Sequence, residues 1–183
     1  MILAIPFYRV YNKHISYPVG ILLEYAIIKL IYKSEVRMMR RKNRQVTDIN
    51  EIHAIIDEIK VARIGMFDGN QVYIVPLNHG YEMGEDGKII FYLHCSIVGR
   101  KVEILKKNPN VCIELDGRHE LVTADAPCSH SYYYASLIGN GTVEFIEDES
   151  EKEHALAMVM KHQTGKDGWE FTDKWIRAVC IMK

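Results

Sequence analysis

No CxxC pair, no GxxxxGK[ST] loop and no GxGxxG run occurs in the sequence. These absences exclude a structural zinc site of ordinary spacing, a Walker-type phosphate loop and a dinucleotide fingerprint. Cysteine is scarce: Cys95, Cys112, Cys128 and Cys180 are the only four in 183 residues. Scattered thiols of this kind do not make a disulfide framework and read as reduced, cytoplasmic cysteines. Cys112 and Cys180 fall inside apolar strand patterns and read as core thiols. His94-Cys95 and Cys128-Ser129-His130 have metal-ligand residue types but match no structural zinc spacing. Net charge is close to nil, −1 at pH 7, so no basic field recommends nucleic acid as a partner. No apolar run is both long enough and free enough of charge for stable membrane insertion. The strongest, residues 21–32, contains Glu24 and Lys29. No serine or cysteine lies in a recognisable nucleophile motif, which leaves hydrolase chemistry unsupported.

What is present is the composition of a globular domain, 48% apolar and 26% charged. The chain divides in two. Residues 1–37 have five basic residues (Arg9, Lys13, Lys29, Lys33, Arg37) against Glu24 and Glu35. Three readings fit this extension: a docked amphipathic helix, a membrane-surface segment, or sequence upstream of a start at the Met38-Met39 doublet. Residues 38–183 read as one domain, opening with a basic arm, 38–46, expected to be a solvated tail.

Within that domain the apolar period is first helical and then mostly β. Ile49, Ile52, Ile55, Ile56 and Ile59 make one stripe, and Asp48 with Glu51 has the capping-box pattern, so 48–60 is a helix lying on a core. Strands follow at 61–67, 71–82 and 88–94, separated by the turn signals Asp68-Gly69 and Gly84-Glu85-Asp86-Gly87. A helix is expected over 97–107, with Val98, Val102 and Leu105 on one side. Strands at 111–118 and 132–146, a helix at 149–162 with Met160 inward, a loop at 165–172 and a closing strand at 178–182 complete the pattern. Hairpin-joined, long, bent strands predict a mainly β fold with flanking helices, mostly antiparallel and curling into a barrel.

Three segments carry candidate chemistry. In His94-Cys95-Ser96-Ile97-Val98-Gly99-Arg100-Lys101 a strand runs into a helix, with Ser96 as its cap and Gly99, Arg100 and Lys101 in its first turn. Cations at the positive end of a helix dipole do not help the helix; they suit a bound anion such as a phosphate. A surface helix with two solvated cations fits equally. In Tyr73-Ile74-Val75-Pro76-Leu77-Asn78 a proline interrupts a long strand. It frees neighbouring backbone groups, and with the Asn78 side chain they can meet the polar edge of a flat heterocycle. A kinked edge strand is the plainer reading. Alternation sets Tyr132, Tyr134 and Ser136 on one strand face, as core, interface or the wall of a ring site. Trp169, in a Gly-rich loop, reads as a buried anchor or as a lid.

These segments join Ala62-Arg63-Ile64-Gly65, Phe91-Tyr92-Leu93-His94 and Gly139-Asn140-Gly141-Thr142-Val143, preceded by Met39-Arg40-Arg41-Lys42. In order and spacing, over residues 39–183, they resemble the pyridoxamine 5′-phosphate oxidase-like, FMN-binding split-barrel proteins, and most of all the 5-nitroimidazole reductase branch. The resemblance implies a split barrel, a homodimer with a flavin at the interface, and electron transfer to a small-molecule substrate. It assigns Ser96, Gly99, Arg100 and Lys101 to the flavin phosphate and Val75, Pro76, Leu77 and Asn78 to the ring. His94 falls beside the flavin as the proton donor, since imidazoles titrate near neutrality. Tyr134 and Ser136 come from the partner-facing strand. FMN is the implied cofactor, with FAD or another flavin also compatible; a non-catalytic flavin or haem binder is the alternative function. Relatives commonly continue beyond the point where this sequence stops. The C-terminal basic motif of the vitamin-oxidising enzymes is not seen, which favours nitro reduction over vitamin oxidation.

Overall fold

A computed structural model describes residues 7–12, 41–85 and 87–183. Within the 1–37 extension, Phe7–Asn12 forms strand β1. The apolar run 21–32 and the Met38-Met39 doublet lie outside the described residues.

The isoleucine stripe forms helix α1 (Ile49–Glu58), and Asp48 caps it by accepting from the Asn50 N–H at 2.9 Å. Ile52, Ile55 and Ile56 are fully buried against the sheet. Each such side chain contributes about 1.5–3 kcal/mol by leaving water. The seven strands that follow are β2 (Val61–Phe67), β3 (Val72–Met83), β4 (Ile89–Ser96), β5 (Asn110–Val122), β6 (Ser131–Thr142), β7 (Phe145–Ile146) and β8 (Val179–Met182). Helix α2 (Arg100–Lys107) follows β4, and helices α3 (Glu149–Thr164) and α4 (Asp173–Ala178) lie between β7 and β8. Every described strand pair is antiparallel, in the order β1-β6-β5-β2-β3-β4-β8-β7, and the sheet is not closed on itself.

Two cores result. The larger lies between α1, α2 and the sheet; the smaller lies under α3 and α4, around Tyr92, Leu156, Val159 and Ile181. Strand β4 serves both, with Phe91, Leu93 and Cys95 on one side and Tyr92 on the other, so its sequence is almost uniformly apolar.

The sequence reading differs from this fold in several places. The basic arm is not wholly a solvated tail, because Val46 is buried in the larger core. Residues 132–146 are two strands: after Thr142 the chain leaves β5, and β7 pairs with β8. The closing strand is preceded by α4, which the sequence pattern does not show. Met160 and Cys180 are half-buried, as is Cys112. Val98 is 73% exposed, off the apolar side of α2, where Ile104 joins Val102 and Leu105. Trp169 is 40% exposed, and its indole N–H donates to the Lys166 carbonyl, so it is not a buried anchor.

Arg118 ties α1 to the sheet. It lies where the β5–β6 register shifts between Gly117 and Glu120, with a left-handed φ of 56°. Its guanidinium forks onto Glu58 at 2.6 and 2.7 Å and also reaches Glu51, the residue expected to close the capping box. These bonds hold the Glu58 carboxyl below its ordinary pKa. Arg118→Ala is expected to lower the unfolding free energy by about 1–2 kcal/mol, read from the urea midpoint. Arg118→Gly should lose about 1 kcal/mol less, because glycine relieves the left-handed strain; equal losses would count against that account.

Candidate functional site

The site is set by the point where β3 changes partner. Residues Val72–Asn78 pair with β2, and His79–Met83 pair with β4. The β3–β4 ladder stops at His79↔Leu93. Continued in the same register it would set Asn78 against His94 and Pro76 against Ser96. Pro76 has no N–H to give, so pairing cannot extend through it. On its other edge β4 pairs with β8, Leu93–Ser96 lying against Val179–Met182. The strands part, and the β3 edge from Tyr73 to Asn78 is left without a strand on that side.

α2 begins at the mouth of this parting. The expected cap is corrected here: Ser96 ends β4, its Oγ accepts from the Val98 N–H at 3.3 Å, and Gly99 is the N-cap. Gly99 has φ 136°, a conformation that suits glycine, and it offers no side chain to cap the helix. Arg100 and Lys101 are thus the first two helical residues. The helix start presents uncapped backbone donors and two cations to one region, the donor set of an anion site.

The cations have different surroundings. Arg100 stacks over the Tyr73 ring, 4.4 Å from its centroid, and donates to Asp68 Oδ2 at 2.7 Å. Asp68 also accepts from the Gln71 and Asn70 N–H groups. These bonds, led by that from Gln71, bring its pKa down to about 2. Sequence reasoning misses Asp68 and Tyr73 as site residues. The Asp68-Gly69 turn signal is legible, but its reach to Arg100 depends on the hairpin folding back. Lys101 is half-exposed, and its charge acts on the Cys95 thiol.

Along β3, Val75 and Leu77 pack on the core, while Pro76 and Asn78 face outward. The Asn78 side chain does not reach toward a ring with its amide N–H groups. Nδ2 donates to the Lys60 carbonyl at 3.2 Å and to Gln163 Oε1 at 3.0 Å, which ties β3 to α3. His94 is exposed at the end of β4, opposite Ile181 of β8. Tyr134 and Ser136 are not brought to this end within one chain, because β5 and β2 stand between β6 and β3. Ser136 is buried and Tyr134 half-buried.

The residues around the parting fit a flavin. An unpaired strand edge suits a flat ring, and the cationic, uncapped helix start suits its phosphate. Ile74, Val72, Ile97 and Val98 stand more than half exposed nearby.

An antiparallel sheet that opens where one strand switches partners, with helices packed on it, defines the split-barrel class. The chain belongs to the pyridoxamine 5′-phosphate oxidase family, whose model matches residues 48–178. Among solved structures, a "putative 5-nitroimidazole antibiotic resistance protein" from Bacteroides thetaiotaomicron is 38% identical. That match covers 75% of this chain and 78% of that one, with a TM-score of 0.64. A FAD and heme binding protein from Mycobacterium smegmatis shares the fold at 18% identity and a TM-score of 0.63, over 75% of this chain and 65% of that one. The flavocytochrome Anf3 from Azotobacter vinelandii does so at 20% identity and a TM-score of 0.58, over 74% and 62%. No curated protein matches the sequence. Among the described residues no helix is long and apolar enough to cross a membrane.

Proposed function

We propose that this protein is an FMN-dependent oxidoreductase that reduces nitroimidazole-type compounds, working in the cytoplasm as a homodimer with a flavin at each interface. The observation that carries the reading is the parting of β3 from β4 beside the uncapped, doubly cationic start of α2. Ser96, Gly99, Arg100 and Lys101 would hold the phosphate, and the Val75–Asn78 edge would face the ring. The bound flavin supplies the electron chemistry. The protein's part is to bind it, orient it and provide a proton. His94 is the candidate donor: it is the first residue of β4 beyond the last pair with β3, and its side chain is exposed. The 38% identity to the B. thetaiotaomicron protein supports nitroimidazole-type substrates over vitamin oxidation. The exposed Val72, Ile74, Ile97 and Val98 support a second subunit, since they leave the site open to solvent in one chain. Tyr134 and Ser136 would then come from that subunit.

The purified protein is expected to be yellow and to release FMN on denaturation. FAD would change the cofactor, and a Soret band would replace the reading with haem binding. Lys101→Ala should weaken FMN binding about tenfold or more, the loss of one charge-assisted contact. His94→Ala should keep the flavin but slow turnover of a nitroimidazole about 10²-fold; unchanged turnover removes the proton-donor role.

A further inference from the structure

We propose that Cys95 and Cys180 are a reversible disulfide site that locks the C-terminal strand to the end of β4. The two are direct partners in the antiparallel β4–β8 ladder. Direct partners have Cα atoms about 4.5 or 5.5 Å apart, according to their place in the ladder, and both spacings fall within the span of about 4.4–6.8 Å that a disulfide bridges. The thiols already interact with each other, and Cys95 Sγ also donates to the Ser96 carbonyl at 3.3 Å. Closing the bond thus requires side-chain rotation rather than a change of register. The other cysteines have no such partner: Cys112 stands between Gly65 and Asn140, and Cys128 lies in an exposed turn.

The surroundings decide when the pair reacts. Burial pushes both thiols up, Cys180 to about 11; Cys95 raises Cys180 further, whereas the contact with Cys180 favours the ionised form of Cys95. Lys101 of α2 draws Cys95 back down; Glu147 raises Cys180, and Lys152 of α3 lowers it. The thiolate is the attacking species, so oxidation is slow at neutral pH and accelerates as the pH rises.

The oxidant is a small-molecule disulfide of the glutathione type. The half-buried Cys180 thiolate attacks one of its sulfurs, forming a mixed disulfide and expelling one small thiol. The Cys95 thiolate then attacks the Cys180 sulfur, forming the protein disulfide and expelling the second. The protein loses two protons and two electrons, and the oxidant becomes two thiols. The product closes a long loop through α2, β5, β6, α3 and α4, which restricts the unfolded chain. It also fixes the residue next to Ser96, at the mouth of the strand parting.

The test uses the full-length protein incubated with oxidised glutathione at pH 8.5, alkylated without reduction and digested. A peptide linking Cys95 to Cys180 is expected, with Cys112 recovered alkylated. The melting temperature should rise by about 5–15 °C and return to its starting value with dithiothreitol. In Cys95→Ser, Cys180 should persist as a glutathione adduct. Recovery of Cys95 and Cys180 as separate alkylated or glutathione-bound peptides overturns the site, and an unchanged melting temperature in the linked protein overturns the lock. The linked peptide is sought in the wild-type chain, so the outcome stands even if a variant fails to fold.

Discussion

Gly80→Ala should destabilise this protein severely for the addition of a single methyl group. A Cβ at Gly80 would lie 2.4 Å from the Met158 carbonyl carbon and 2.5 Å from Met158 O and Val159 N. Those are backbone atoms of α3, held in a helix of 16 residues, so no side chain can swing aside to make room. β3 or α3 would have to move as a whole. The displacement would separate Tyr92, Leu156 and Val159 in the smaller core and break the Asn78–Gln163 contact. Overpacking costs about 1–3 kcal/mol where side chains can adapt. Against backbone the cost should exceed that range, lowering the melting temperature by about 10 °C or more. Calorimetry on Gly80→Ala and Gly80→Ser checks this. A loss of only a degree or two would mean that α3 does not approach β3 so closely.

Acid should destabilise the fold through a buried histidine pair. His79, fully buried, stacks on His162 with ring centroids 4.3 Å apart. His79 Nε2 lies 2.9 Å from the Ile59 carbonyl, which can only accept, so that nitrogen carries the proton. Nδ1 has no hydrogen-bond partner among the described residues. Burial, then the neighbouring His162 and the Lys60 ammonium, bring the His79 pKa down to about 3. His162 is also lowered by burial, although its ring nitrogens lie 2.8 and 2.9 Å from the His79 and Ile56 carbonyls. The sign follows from proton counting. The unfolded histidines titrate near 6.5 and the folded ones lower, so between those values the unfolded chain binds more protons. Stability is fully present above about 6.5 and is lost as the pH falls towards 3. For His79 alone the loss from pH 7 to pH 4 is on the order of 3 kcal/mol. His79→Gln keeps a donor for the Ile59 carbonyl and removes the titration. Urea unfolding at pH 7 and pH 4 should therefore show a difference smaller by about that amount in the variant. Identical differences in the two proteins would remove His79 as the cause.

How much of this is legible in the sequence can be traced residue by residue. β2 and the buried stripe of α1 follow from local pattern, because each depends on a period and on signals at its own ends. The start of α2 falls three residues later than the local signals place it. Ser96 is an ordinary cap residue, but β8, more than eighty residues later in the chain, pairs with it and keeps it in the strand. α4 escapes detection because a six-residue helix has too few turns to show a period. The break between β6 and β7 follows from pairing with β8, which no local signal records. The sequence pattern points Asn78 toward a ligand, yet its amide is bonded to Lys60 and Gln163, the second of these 85 positions away.

The candidate site divides in the same way. The proline in β3, and the two cations that follow a glycine after β4, are properties of the sequence. By themselves they are compatible with an unpaired strand edge and an anion-binding helix start, and equally with a kinked edge strand and a surface helix with two solvated cations. The tertiary structure decided that these two features lie side by side and that Gly99 rather than Ser96 starts the helix. It also decided that Arg100 is held between Asp68 and Tyr73, while Tyr134 and Ser136 lie beyond two intervening strands. The physical reason is the range of the forces involved. Proline's missing N–H and glycine's φ act within one residue, whereas strand pairing and burial join residues the chain separates by tens of positions.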